Sequence, residues 1–172
     1  MTESTRMMVA LVEVNIAWLG QAAELLEDLE DGAFAKVGVQ FRHIIEFYEC
    51  LFDGCDKGYV DYDARRRDRS IQTRRRVARE KVLMLMTRLE REDRFHADRP
   101  VFVRVEDAAG LGLRQPYMSS SLSRELQSLG SHTVHHFALI AMTLRNCGVT
   151  VDSAFGVAPS TLRFRAAMSG AA

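Results

Sequence analysis

The stretch SLGSHTVHHFALIAM, residues 128–142, predicts a helix that is apolar enough to be buried on one face. It nevertheless contains three of the five histidines in the chain, and imidazole is the side chain that titrates near neutral pH and binds transition metals. His132 and His136 are four residues apart, so in a helix their rings lie one turn apart on the same face. Two imidazoles in this arrangement can reach one metal ion, and His135 is a competing candidate that spacing alone does not exclude.

The neighbours of these histidines indicate which ring faces the interior. His136 shares its face of the helix with Leu129 and Ile140, whereas His135 lies among serines. Because the apolar face of an amphipathic helix packs inward, we expect His136 to point into the protein and His135 to lie nearer the surface.

Apolar residues recur at three- and four-residue steps in four segments, which predicts four helices. These helices are expected over residues 5–29, 36–52, 74–92 and 122–147. Gly32 is expected to end the first helix and Gly148 the last, since glycine is the usual left-handed terminator. The fold class predicted is all-α, an antiparallel four-helix bundle with a long crossover between helices two and three.

The connections between the predicted helices are long, and long connections often cover a functional site. Residues 53–73 form a polar crossover, and residues 101–105 alternate in a way that predicts a short strand or an extended cover. Residues 148–172 are expected to be mostly irregular up to a terminal turn, with the stretch at 155–163 packing onto the bundle.

The composition is that of an ordinary globular protein, and it predicts a single domain over residues 1–172. The 23 basic and 23 acidic residues balance, so the arginine-rich residues 64–79 are interpreted as a solvated surface and no nucleic-acid partner is expected. Three cysteines without close CxxC spacing favour free thiols in a reducing compartment. No signal-peptide pattern is found and no stretch approaches the roughly 20 apolar residues of a membrane span. We therefore expect a cytoplasmic protein with no membrane partner.

A third metal ligand is expected from another helix, because two histidines rarely hold an ion tightly. His43 is the natural candidate, since it lies at the border between the apolar face and the polar stripe of the second helix. Its ring would be partly buried there and would point across the bundle. The alternative stays open at this point, because buried histidines are often satisfied by backbone carbonyls and an HxxxH pair also arises by chance. The polar stripe consists of Arg42, Glu46, Glu49 and Asp53.

Four segments resemble the DinB-like superfamily of bacterial four-helix bundles. They are VGVQFRHIIEFYECLFDG (37–54), GYVDYDARRRD (58–68), RELQSLGSHTVHHFALI (124–140) and FGVAPSTLR (155–163). The resemblance implies a divalent metal ion (nickel, zinc or iron) held by one histidine of the second helix and by an HxxxH on the last. In this sequence those ligands are His43, His132 and His136. Close relatives often read GxHxRH in the second helix, and Gln40 replaces the first histidine here, so we expect altered surroundings of the metal.

The expected function depends on an ion with three protein ligands, which keeps a coordination position open as catalytic sites do. Such an ion acidifies a bound water or lowers the pKa of a bound thiol. The superfamily includes thiol S-transferases, so the resemblance favours a thiol S-transferase with a low-molecular-weight thiol as a partner. The open coordination position also allows a hydrolase that acts on a small molecule. The alternative is a non-catalytic metal-binding or stress-related protein that forms a homodimer.

Three other features have two interpretations each, and a fourth has one. Glu125, in the first turn of the last helix, either approaches the metal or complements the helix dipole, and we favour the second. Residues 61–63 in the crossover either contact substrate or anchor the loop, and we favour anchoring. Cys50, seven residues after His43, either approaches the metal or packs as a small apolar residue, which we favour. Arg163 is a candidate contact to a substrate anion.

Overall fold

The structure, a computed structural model, describes residues 2–91, 95, 97–104 and 116–169. Its helices are α1 (Glu3–Asp28), α2 (Asp31–Gly54), α3 (Arg69–Thr73), α4 (Arg75–Arg91), α5 (Leu122–Asn146) and α6 (Pro159–Ser169). Its strands are β1 (Tyr59–Asp61), β2 (Pro100–Arg104) and β3 (Met118–Ser121), and a 3-10 turn, Cys55–Lys57, follows α2. At 73% helix the fold is mainly helical, as predicted.

The four long helices are those predicted from the hydrophobic periodicity, with some ends shifted. α2 starts a turn earlier than predicted, so Gly32 lies inside its first turn and the expectation that Gly32 ends the first helix is wrong. α1 instead ends at Asp28, where Leu29 adopts extended backbone and buries its side chain, which turns the chain without a left-handed residue. The prediction for Gly148 is confirmed, since it follows α5 with φ of +80°, a region that favours glycine.

Each of the four long helices packs against two others. α1 contacts α4 and α5, and α2 contacts the same two helices. Their apolar faces enclose the hydrophobic core, and burial of one large side chain contributes about 1.5–3 kcal/mol relative to exposure. The largest fully buried side chains are those of Tyr48, Phe34, Phe41, Phe52, Phe95, Phe137, Met8, Leu19, Leu26, Ile44, Ile45 and Leu51.

A three-stranded sheet forms from the connections and adds to the mainly helical fold two strands that the sequence analysis did not predict. β2 pairs in parallel with β1 and antiparallel with β3, in the order β1-β2-β3. β2 confirms the short strand predicted from alternation, although Val105 lies outside the described residues. β1 is too short for a period-two pattern and depends on packing against the end of α2. There a Cβ at Gly54 would lie 2.4 Å from the carbonyl oxygen of Tyr59, so only glycine permits the approach.

The crossover between α2 and α4 packs directly on α2. Gly38 permits this contact, because a Cβ there would lie 2.1 Å from the carbonyl oxygen of Gln72. The polar stripe of α2 is consequently covered in part. Glu46 is only 2% exposed and accepts a hydrogen bond from the backbone N–H of Asp68 at 2.7 Å. This packing brings the arginines of the crossover next to α2.

The C-terminal segment covers α5, as the sequence predicts. Phe155 stacks on Phe137 with 4.5 Å between ring centroids. Gly156 has φ of +74° and lies so close to α5 that a Cβ would be 2.5 Å from the backbone nitrogen of Ala138. Beyond it the expectation of a terminal turn is wrong, because α6 extends over eleven residues. None of them is buried, so no core-facing pattern marked this helix in the sequence.

α1 is long and apolar enough to cross a membrane by length and composition alone, which corrects the expectation that no stretch approaches such a span. In the structure this helix packs against α4 and α5 and buries Met8, Leu19 and Leu26. A helix in the core of a protein and a signal sequence near the N-terminus pass the same test, and 39% of the apolar window is buried here.

Candidate metal centre

The structure brings His43, His132 and His136 together between α2 and α5. One ligand atom from each side chain lies within 4.8 Å of the other two, and all three residues are partly buried. Within the described part of the chain, this is the one group of three or more His, Cys, Asp or Glu side chains arranged so that they can hold a metal ion. We call these three residues the histidine cluster, and they are the three ligands that the sequence predicts.

The packing of two helices explains this convergence. His132 and His136 lie one turn apart on α5, with ring centroids 4.5 Å apart. α2 places His43 against both of them, with its Nε2 2.9 Å from Nε2 of His132 and its ring centroid 4.5 Å from that of His136. His135 is exposed on α5 and lies outside the cluster, so the prediction that it lies nearer the surface is confirmed.

Gln40 fixes the ring of His136. The side-chain oxygen Oε1 of Gln40 lies 2.5 Å from Nδ1 of His136. An amide oxygen can only accept, so Nδ1 carries the proton and the lone pair of the neutral ring is on Nε2. Metal-binding histidines commonly donate their second N–H to an oxygen in this way. The residue at which this chain departs from the GxHxRH pattern therefore orients a candidate ligand.

Arg65, from the crossover, donates a hydrogen bond to the ring of His43, whereas Gln40 accepts one from the ring of His136. Its Nη1 lies 2.8 Å from Nδ1 of His43. A guanidinium can only donate, so this Nδ1 accepts and the proton of the neutral ring is on Nε2, where it is donated to Nε2 of His132. The guanidinium also lies over the ring of Phe47, 4.9 Å from its centroid. Arg65 is half-buried, so the interpretation of the arginine run as a solvated surface is wrong at this residue.

Burial and neighbouring charges favour the neutral form of all three rings. Burial, followed by the charges of His132 and two arginines, lowers the pKa of His43 to about 4. Burial, followed by the other histidines, lowers the pKa of His136 to about 3. Burial is also the main cause that lowers the pKa of His132. Since neutral imidazole is the form that binds metal ions, the cluster is ready to act as a ligand set at neutral pH.

Phe47 forms one wall of the histidine cluster. Its ring centroid lies 4.6 Å from the rings of both His43 and His132. Tyr62, from the crossover, stacks on Phe47 with centroids 5.2 Å apart and an interplanar angle of 16°. The hydroxyl of Tyr62 donates to a carboxylate oxygen of Glu125 at 2.8 Å. The crossover is thus tied to the first turn of α5 across the site, and sequence reasoning missed Phe47 as part of it.

Glu125 and the crossover residues have anchoring roles. The second carboxylate oxygen of Glu125 accepts from Ser120 at 2.5 Å, and Glu125 does not belong to the histidine cluster. Burial, and then the charge of Glu125, raises the pKa of Tyr62, which keeps its hydroxyl a donor. Asp61 accepts from Arg104 of β2 and, at 3.0 Å, from the backbone N–H of Asp63. The anchoring interpretation of the crossover is confirmed, and Glu125 has a further partner that the dipole argument did not include.

Cys50 and Arg163 do not join the histidine cluster. Burial raises the pKa of Cys50 to about 12, so this thiol is protonated, and it lies outside the group that can hold an ion. It packs against the hydrophobic core, as predicted. Arg163 is exposed on α6.

A second polar cluster lies deeper between α1, α2 and α5, and sequence reasoning missed it. Asn15 is 1% exposed and donates to the carbonyl oxygens of Leu11 and Leu126, at 2.8 and 3.1 Å. Its side-chain oxygen accepts from the hydroxyl of Tyr48 at 2.6 Å, and Thr133 donates to that hydroxyl at 3.4 Å. The sequence does contain a signal for this cluster, because Asn15 is a polar residue on the apolar face of α1. We call Asn15, Tyr48 and Thr133 the asparagine network.

An open pocket of about 670 Å³ lies beside the histidine cluster on α5. Because His132 lines this pocket and also belongs to the cluster, a small molecule in the pocket would lie next to the candidate ligands. The lining residues are Arg124, Gln127, Ser128, Ser131, His132 and His135.

Together, these features define a mainly helical protein with a three-histidine group that can hold a metal ion. No family model matches the chain, and no solved structure matches it. The chain is similar to FK506-binding protein 5 of Rhizopus delemar, with 31% identity over 104 residues. The similar region covers 60% of this chain and 27% of that protein, so this chain spans little more than a quarter of its relative.

Proposed function

We propose that this chain is a DinB-like protein, an antiparallel four-helix bundle with a long crossover between α2 and α4. The packing of α1 and α2, each against both α4 and α5, supports this architecture. The segments that resemble the superfamily also build the histidine cluster and the parts of the chain around it. They supply the three histidines, form the crossover, and cover α5 with the chain around Gly156.

The proposed cofactor is one divalent metal ion held by His43, His132 and His136. The donor set fits an ion in number and in kind, since three imidazoles lie within 4.8 Å and two have pKa values lowered to about 4 and about 3. Nickel, zinc and iron all accept imidazole nitrogen. Such an ion, when bound, supplies Lewis acidity and lowers the pKa of a thiol or of water.

The reaction that we propose is that of a metal-dependent enzyme acting on a small molecule, either a thiol S-transferase with a low-molecular-weight thiol or a hydrolase. The observation that carries this proposal is that His132 both belongs to the histidine cluster and lines an open pocket. Structural metal sites are usually closed by four protein ligands, whereas three converge among the residues described here. The polar side chains around Arg124 would bind the substrate, and Phe47 would cover the rings of His43 and His132.

The metal content of the purified protein tests the cofactor. We expect about one divalent ion per chain by elemental analysis and strong depletion in His132→Ala, because two imidazoles hold an ion weakly. His135→Ala is the matched control, since it removes an exposed histidine of the same helix and should leave the metal content unchanged. Equal metal content in the wild type and in His132→Ala would remove His132 from the site.

Binding of thiols separates the enzyme from the non-catalytic alternative. In cobalt-loaded protein, we expect the absorption spectrum to shift when a low-molecular-weight thiol is added, because thiolate then enters the coordination sphere. If no thiol shifts the spectrum and no ester or phosphoester is hydrolysed, a non-catalytic metal-binding protein, such as a homodimer, becomes the better proposal.

A further inference from the structure

The hydrogen bonds on the outer nitrogens of two candidate ligands are opposite in kind. Gln40 accepts from Nδ1 of His136 at 2.5 Å, which leaves the lone pair of that ring on Nε2. Arg65 donates to Nδ1 of His43 at 2.8 Å, which leaves a proton on Nε2 of that ring. A guanidinium keeps its protons throughout the physiological range of pH, so Arg65 cannot exchange the donor role for the acceptor role.

Binding of an ion through Nε2 of His43 therefore requires a change at Arg65. The Nε2–H bond must break, and the neutral ring then carries its proton on Nδ1, the atom to which Arg65 donates. The proton passes from one nitrogen of the ring to the other through solvent, so no net proton is gained or lost. The hydrogen bond from Arg65 to Nδ1 is lost in the exchange. The charge of the ion acts in the same direction, because a dication repels a nearby guanidinium.

We propose that Arg65 is a positioning residue that opposes metal binding, and that an entering ion displaces it from His43. This inference rests on the proposed three-histidine metal site. Arg65 belongs to the crossover and lies over Phe47, the wall of the histidine cluster. Its displacement therefore links occupancy of the metal site to the position of a charged side chain of the crossover.

Zinc affinity tests this role with a matched pair of variants. Arg65→Met keeps a long side chain over Phe47 and removes the donors. Arg66→Met removes the neighbouring guanidinium, which is exposed and pairs with Asp53 at 2.7 Å. In competition with a chromophoric chelator, we expect Arg65→Met to bind Zn²⁺ at least about tenfold more tightly than the wild type, because a charge-assisted hydrogen bond no longer opposes binding. Arg66→Met should match the wild type.

Two further variants test whether the effect depends on a cationic donor at position 65 and on the orientation of His136. Arg65→Lys keeps a positive charge and a donor, so its zinc affinity should stay closer to the wild type than that of Arg65→Met. Gln40→Leu should bind zinc about 10- to 100-fold more weakly, because it removes an acceptor that orients a ligand. An Arg65→Met variant that binds zinc as the wild type does, or more weakly, would overturn the proposal.

The tautomers themselves can be measured in the wild type, which keeps the proposal falsifiable if Arg65→Met does not fold. Long-range ¹H–¹⁵N correlation spectra of the metal-free protein should show His43 protonated on Nε2 and His136 protonated on Nδ1. Addition of Zn²⁺ should move the proton of His43 to Nδ1. A metal-free His43 already protonated on Nδ1 contradicts the role of Arg65. Failure of the wild type to bind zinc would instead remove the metal site itself.

Discussion

Two polar clusters lie where α2 packs on α5, and they differ in how their polar atoms are satisfied. In the asparagine network, the amide of Asn15 donates to two carbonyl oxygens and accepts from Tyr48. In the histidine cluster, Nε2 of His43 and Nε2 of His132 face each other and share one proton. Buried polar groups normally pair within the protein. The ring nitrogens of the histidine cluster converge with fewer N–H donors than lone pairs, which is an arrangement suited to binding an ion. The contrast separates a structural network from a candidate binding site.

The largest expected effect comes from removing a candidate ligand. His43→Ala should weaken zinc binding by at least about 100-fold, more than the loss of a residue that only orients a ligand. The stability of the metal-free protein should change little, because the ring is only half-buried. Chelator competition and thermal melting measure the two quantities. A large loss of stability with unchanged zinc affinity would make the histidine cluster a structural network as well.

Asn15→Ala should have the reverse pattern. It leaves the buried hydroxyl of Tyr48 without the Asn15 oxygen that accepts from it, and an unpaired buried group of this kind costs about 1–3 kcal/mol. We expect the free energy of unfolding, measured with urea, to fall by about 2 kcal/mol. The zinc affinity of the folded variant should equal that of the wild type. A variant with lowered zinc affinity and unchanged stability would show that the two clusters act as one.

Tyr48→Phe is a smaller change in the same network. It keeps the packed ring and removes the hydroxyl, so the Asn15 oxygen loses a donor and Thr133 loses an acceptor. We expect urea unfolding to show a loss of about 1 kcal/mol, because Tyr48→Phe removes two hydrogen bonds, one of them long at 3.4 Å, whereas Asn15→Ala removes three. A loss equal to that of Asn15→Ala would mean that this hydroxyl carries the whole network.

Acid should weaken the metal-free protein through the histidine cluster. The pKa values of His43 and His136 are lowered from 6.5 to about 4 and about 3 in the folded state, so the unfolded chain binds protons first as the pH falls. Protonation of these histidines therefore leaves the free energy of unfolding unchanged above pH 6.5. It lowers that free energy progressively between pH 6.5 and about pH 4. Melting temperatures over this range should fall less steeply in His136→Ala than in Asn15→Ala. Equal slopes would exclude the rings as the source.

The part of the fold that the sequence predicts is the part that is encoded locally. Regular apolar spacing marks the four long helices, and Gly148 marks the end of α5. The first helix ends without a glycine because the buried side chain of Leu29 anchors an extended turn, which spacing does not reveal. β1 and α3 are short and depend on close approaches to α2 at Gly54 and Gly38. α6 buries none of its residues, so it has no core-facing pattern to read.

The same distinction applies to the histidine cluster. Helical geometry predicts that His132 and His136 lie side by side, and the position of His43 at the edge of an apolar face predicts that it points inward. Gln40 was marked by a departure from the GxHxRH pattern. Arg65 was not distinguishable from Arg66 within a run of arginines, because only the path of the crossover over α2 brings one of them to His43.

X-ray absorption spectroscopy of the zinc-loaded protein tests the metal site most directly. The three-histidine site predicts three imidazole nitrogens at about 2.0–2.1 Å, with the multiple scattering that histidine rings produce. The signal of one ring should disappear in His43→Ala. Coordination dominated by sulfur, or by no more than one imidazole in the wild-type protein, would contradict the account.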